Sequence, residues 1–183
     1  IGSITYLSRN HEALRRNVVA GFNLTCMGDE RAYSYLPSRK GNTLADKAAL
    51  HAGIRRFWAS APLFEDAPAF FAACPVPVWV LTNNSEDCVR ENLAAHGIVP
   101  AGIVTGDMAR AYKPHRAFFE KALALSGCTV DGAVHIGDSA RSDIEGARAA
   151  GIEAVLLCRG GQPAPCGVRA AQTLPEALAL ALA

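Results

Sequence analysis

The chain has 183 residues, half of them apolar, 19% charged, and a formal net charge of +1. That composition suits one ordinary domain with a sizeable core, and it excludes a disordered chain and a strongly basic nucleic-acid binder. The richest apolar stretch, Ala67 to Leu81, is broken by Pro68, Pro75 and Pro77 and is too short to span a bilayer. The sequence begins with Ile1 and shows no basic-then-apolar leader, so a cytoplasmic protein, and a fragment or processed chain, are the expectations. None of the six cysteines has a partner at metal or redox spacing, which points to reduced thiols used as small apolar residues. Residues 1–60 hold nine Lys or Arg against four acids, while the remainder holds nine against thirteen. Solvated helix faces account for the basic excess, though an anionic ligand would also feel it.

Up to about Ala73 the pattern reads as helices with loops between them. A segment around Leu14 to Leu24 is weakly helical, and Met27 to Gly41 reads as a turn, a short helix and a loop. Thr43 is placed to cap a helix in which Leu50, Ile54, Phe57 and Trp58 share one face. Glu65 to Ala73 forms one more short helix in this reading. From Cys74 the rhythm becomes strand and helix in alternation. Val76–Leu81 is a strand, Glu86 to His96 a helix, Ile98–Val104 a strand and Pro114–Ser126 a helix. Val134–Ile136 is the third strand, followed by a helix from about Asp143 to Ala150. Ala154–Cys158 is the fourth, and Pro175–Leu182 closes the chain as a helix. Ser142 with Glu145, and Thr173 with Glu176, have the spacing of capping boxes.

Strands alternating with helices imply right-handed crossovers and a parallel sheet. The division expected is a helical region over 1–73 and a Rossmann-like α/β core over 74–183, with helices on both faces of the sheet. Functional groups in such sheets gather beyond the carboxyl ends of the strands. Those positions hold Thr82 with Asn83, then Lys113 in Ala-Tyr-Lys-Pro, then Asp138 and Asp143. A hydroxyl and an ammonium converging on one point suit a phosphate. Carboxylates beside them repel it unless a hard cation such as Mg²⁺ lies between. Singly, each residue has an ordinary structural explanation: a turn, a helix start, a favourable charge at a helix N-terminus. Their order, one at each successive strand end, makes a phosphoryl-transfer site the better reading.

These residues resemble three motifs of the haloacid dehalogenase superfamily of hydrolases. Thr82 in Val-Leu-Thr-Asn-Asn matches its second motif, and Lys113 in Tyr-Lys-Pro-His-Arg-Ala-Phe-Phe its third. The run from Gly137 to Gly151, Gly-Asp-Ser-Ala-Arg-Ser-Asp-Ile-Glu-Gly-Ala-Arg-Ala-Ala-Gly, matches its fourth. The resemblance covers Pro75 to about Arg159 and is compatible with a helical cap lobe before it. It implies that Thr82 holds a phosphoryl oxygen and Lys113 stabilises the charge. It further implies that Asp138 ligates Mg²⁺, that Asp143 supports the metal's water shell or orients Lys113, and that Asn83 touches the substrate.

The family's first motif, a nucleophilic Asp after an apolar strand, has no match. Asp29 follows no strand, and Asp46, Asp66 and Asp87 fall in helical segments. The expectation is therefore a Mg²⁺-dependent phosphatase acting on a small anionic phosphomonoester, without nucleic-acid or membrane partners, whose attacking carboxylate lies upstream. A gap or exposed seam is expected beside the Val134–Ile136 or Val76–Leu81 strand. Lys113 is expected to be an exposed cation that contributes little to packing. Two alternatives stand beside this reading: a 2-haloacid dehalogenase, and a degenerate non-catalytic binding module. A serine esterase opening on Gly137-Asp138-Ser139 is rejected, because such an enzyme needs a late catalytic His and the last one here is His135.

Overall fold

A computed structural model describes residues 5–7, 52–53, 55–160 and 164–183. Its centre is a six-stranded sheet in the order β3-β2-β1-β4-β5-β6. The strands are β1 (Thr5–Leu7), β2 (Trp79–Thr82), β3 (Gly102–Thr105), β4 (Val134–Gly137), β5 (Glu153–Leu157) and β6 (Arg169–Ala171). Five of them run parallel, as the alternating pattern requires, with β2 on β3 and β4 on β5 on β6.

Alternation within each strand builds two cores. Val80, Ile103, Ile136 and Val155 face one side, where they meet α1 (Asp66–Ala73), α2 (Glu86–Ala95) and, at the C-terminus, α6 (Leu174–Leu182). Leu81, Val104, Ala154 and Leu156 face the other side. There they meet α4 (Arg116–Ser126) and the segment ending in α5 (Gly146–Ala149); α3 (Gly106–Ala109) is a single turn after β3. The result is the expected sheet with helices on both faces. Phe118 and Phe119 of α4 are fully buried, and burial of each stabilises the fold by roughly 1.5–3 kcal/mol.

The seam between β2 and β4 is filled, not open. Thr5 pairs with Val80 on one side and Ile136 on the other, and both pairings are antiparallel. The expectation of a gap is overturned, and so is an all-helical reading of the first 73 residues. The reason is physical: a parallel pair of strands held apart presents two rows of unpaired amides and carbonyls, and a short β-capable segment such as Thr-Tyr-Leu satisfies both. The helical segments expected over Leu14–Leu24 and Met27–Gly41, and the Thr43 cap, lie outside the described residues. Residues 55–59 are helical, as the Phe57–Trp58 spacing implies.

Local boundaries shift for reasons of chemistry. The strand expected over Ile98–Val104 begins only at Gly102, because Ala101 is still occupied in a loop bond to the Val78 carbonyl. Helix α4 starts at Arg116, with His115 as its N-cap, two residues later than Pro114. The Thr173–Glu176 capping box forms with both its bonds. The Ser142–Glu145 box does not. Ser139 caps instead, its hydroxyl accepting from the Ser142 amide, and Ala140–Glu145 is a wide π-helical turn. Strand β6 was not anticipated, since Arg-Ala-Ala carries none of the β-branched residues that mark strands.

Candidate active site

The carboxyl ends of β2 and β4 bring the expected residues together. Thr82 ends β2 and is fully buried, and its hydroxyl oxygen accepts the Asn84 amide at 3.0 Å. Asp138 follows the last residue of β4 and is half-buried. Lys113 lies between them in sequence, and its ammonium reaches from the end of β2 to the turn after β4. It donates to Asp143 Oδ1 at 3.0 Å and to the Leu81 carbonyl at 3.3 Å. Two of its three hydrogens are thereby used, leaving one for another oxygen.

Lys113 is not the exposed cation expected from its sequence position: its side chain and that of Asp143 are both completely covered. Burial of two charges is tolerated only when they are paired and hydrogen-bonded. Asp143 meets that condition on every side. Oδ1 takes the Lys113 ammonium, and Oδ2 accepts the Ser139 amide at 3.0 Å. His135 Nε2 lies 3.6 Å from Oδ1, and the ring packs edge-on against Phe119. Burial pushes the Asp143 carboxyl up, but Lys113, His135 and the Ser139 amide together outweigh it and hold it at about 2. Burial pulls the Lys113 ammonium down while Asp143, and more weakly Asp138, resist. At neutral pH the Asp143 carboxylate, 3.0 Å away, favours the charged form of Lys113 against its burial. Burial drives His135 down to about 4, so it is neutral there.

The closeness of β4 to Asp143 depends on Gly137. A Cβ at this position would come within 2.5 Å of Asp143 Cβ and Oδ2. Gly137→Ala therefore has to displace the carboxylate that holds Lys113. Its expected cost is about 1–3 kcal/mol or more, read as a lowered urea midpoint, because overpacking falls on a fully buried ion pair.

Asn83 is exposed, and both ends of its amide are spent on the Lys113 backbone. Oδ1 accepts the Lys113 amide at 2.9 Å, and Nδ2 donates to the Lys113 carbonyl at 3.2 Å. The residue expected to touch substrate is thus first a clamp that fixes Lys113 beside Thr82. Sequence reading also missed His135 as part of this cluster. The available signal was a polar ring inside the otherwise apolar run Val-His-Ile, which a fully buried strand tolerates only with a partner.

Acid should weaken the fold in two stages. His135 falls from 6.5 to about 4 on folding, so between those pH values the unfolded chain binds the extra proton and stability declines as pH drops. Asp143 is held at about 2 against an ordinary 3.8, so its contribution persists above pH 4 and is lost as pH falls through 2. The expected sizes are roughly 3 and 2 kcal/mol. Urea unfolding at stepped pH should show both declines, and His135→Gln should remove the first.

A magnesium ion asks for one or two carboxylates, with waters and substrate oxygens completing an octahedron. Asp138 fits such a role. Burial first, and the neighbouring Asp143 charge second, push its carboxyl above the ordinary value, a penalty that a cation relieves. Asp143 has both oxygens engaged, which favours support over direct ligation. Among the described residues no three His, Cys, Asp or Glu gather as an all-protein metal cluster. The five described cysteines, Cys74, Cys88, Cys128, Cys158 and Cys166, are free thiols, and burial raises Cys74 to about 11. No described helix is long and apolar enough to cross a membrane.

Fold and strand-end residues together resemble the Rossmann-like haloacid dehalogenase type. Comparison with known proteins agrees. Residues 111–178 match the HAD-hydrolase-like family, and residues 1–58 match a domain of unknown function (DUF4910). The chain is similar to a phosphoserine phosphatase of Thermus thermophilus, 32% identical over 108 residues, covering 56% of this chain and 43% of the relative. Among solved structures it is similar to the HAD-hydrolase YfnB of Bacillus subtilis bound to magnesium, at TM-score 0.66 and 20% identity, covering 74% of this chain and 63% of that one. A HAD phosphatase of Thermococcus onnurineus matches at TM-score 0.58 and 22% identity, covering 69% and 61%. A 2-haloacid dehalogenase of Pseudomonas syringae pv. Tomato matches at TM-score 0.61 and 22% identity, covering 77% and 65%. This chain thus spans less than half of the curated relative and under two thirds of each solved structure. Residues 111–178 thus carry the HAD-hydrolase-like match, and the fold is the one shared by these haloacid dehalogenase superfamily structures.

Proposed function

We propose that this chain carries the phosphoryl-binding part of a Mg²⁺-dependent phosphatase for a small phosphomonoester. The observation that carries the reading is the buried Lys113–Asp143 pair between Thr82 and Asp138. A cation this costly to bury, with one hydrogen left over, is poised for an anionic oxygen. In this reading the Thr82 hydroxyl and the Lys113 ammonium hold phosphoryl oxygens. Asp138 holds the metal, which neutralises charge on the phosphate when bound. Asp143 orients Lys113 and supports the metal's waters, while Asn83 fixes the Lys113 backbone and has a second amide hydrogen to offer a substrate oxygen. The strand in the central seam, Thr-Tyr-Leu, bears no carboxylate. The attacking carboxylate of an aspartyl-phosphate mechanism therefore has to come from outside this strand. In this proposal residues 74–183 are the core, joined by Thr5–Leu7 and α1, and the helical cap region expected over 1–73 is narrowed to what lies between those two elements.

The test is phosphate release from a phosphomonoester panel by the protein expressed from its complete coding sequence, with and without chelator. Metal-dependent release is expected. Halide release from a 2-haloacid in the presence of chelator, with no phosphatase activity, would replace this reading with a dehalogenase. Phosphate binding without turnover of either substrate would leave a non-catalytic binding module.

A further inference from the structure

Tyr112 stands immediately before Lys113, whose amide and carbonyl are both gripped by Asn83. Asn83 in turn directly follows Thr82, so the main chain at Tyr112 is fixed relative to the two groups that face the phosphoryl position. The ring is fixed as well. Its Cδ1, Cε1 and Cζ lie against Gly106, where any Cβ would collide with them. Its hydroxyl donates to Asp107 Oδ1 at 3.4 Å. Gly106 begins just beyond Thr105, and Thr105 pairs with Thr82 across β2 and β3. The ring therefore sits over the same sheet edge as the proposed phosphoryl site, one strand to the side. Despite this anchoring, Tyr112 is 51% exposed.

A scattered exposed aromatic is ordinary on a protein surface. An aromatic tethered at backbone, edge and hydroxyl is different, because the ordering entropy of a stacking platform has been spent before any ligand arrives. Resting on the phosphoryl-site reading above, we propose that Tyr112 is a specificity-determining residue. Its exposed ring receives the leaving group of a phosphomonoester whose alcohol is aromatic or otherwise flat and apolar. The Asp107 carboxylate beside it disfavours a second anionic group on that alcohol.

The test is isothermal titration of the 183-residue chain in Mg²⁺ with orthophosphate, methyl phosphate and phenyl phosphate. The quantity read is the affinity ratio of phenyl to methyl phosphate, which a merely structural defect leaves unchanged because it weakens both. Stacking predicts a ratio of about two- to tenfold. That ratio should persist in Tyr112→Phe and fall to about one in Tyr112→Ala. A ratio near one in the unaltered chain, an unchanged ratio in Tyr112→Ala, or equal loss in both variants overturns the inference while orthophosphate binding upholds the site. Failure of orthophosphate itself to bind removes the phosphoryl site, and the inference with it.

Discussion

Lys113→Met lowers the stability of the fold by about 3–5 kcal/mol, because it strands the Asp143 carboxylate in a fully covered site with no cation. Methionine matches the length of the lysine stem, so little packing is lost and the cost is electrostatic. Removing both charges tests this. Lys113→Met combined with Asp143→Asn should recover at least roughly half of the loss, since a neutral pair avoids the uncompensated charge. Urea midpoints at pH 7 for the two single variants and the double variant provide the check. Additive losses in the double variant would mean that the two side chains act separately, against the geometry of the cluster.

Asp138→Asn should have the largest effect on activity and a small one on the fold. The residue is half-buried at a strand end, and its carboxyl is already pushed up by burial and by Asp143. Making it neutral relieves that strain, so stability should hold or rise. Under the proposed function, a hard divalent cation would lose its charged ligand, and with it several kcal/mol of charge stabilisation, or ~10²–10³-fold in turnover. Phosphate release by the complete protein, measured across a range of Mg²⁺ concentrations, should lose both its rate and its metal dependence. A variant that retains full metal-dependent turnover would place the metal elsewhere.

The parallel sheet and the order of its helices were legible in the sequence, because buried strands such as Val-Trp-Val-Leu and Ala-Val-Leu-Leu are apolar runs bounded by turns. The strand ends were legible for the same reason, and with them the positions of Thr82 and Asp138. Depth was not. A lysine before a proline reads as a helix-start residue, and nothing in its neighbours says that its stem passes beneath β2 to a carboxylate 30 positions later. His135 was overlooked because period-two alternation marks it as inward-facing without naming its partner on another element. The antiparallel strand Thr5–Leu7 was invisible for a different reason. Three residues carry no periodicity, and what selects them is the open seam between β2 and β4, a feature of the assembled sheet. The Ser139 cap superseded the Ser142–Glu145 box because Asp143 is drawn to Lys113 and widens the turn between them.

The central claim is that Thr82, Lys113 and Asp138 surround one phosphoryl group. A crystal structure of the chain grown with Mg²⁺ and orthophosphate tests it most directly. The phosphate should lie with oxygens within hydrogen-bond distance of Thr82 Oγ1 and Lys113 Nζ, and a metal ion should bridge it to an Asp138 oxygen. A phosphate bound elsewhere on the surface, with the strand ends of β2 and β4 holding neither ion, would contradict it.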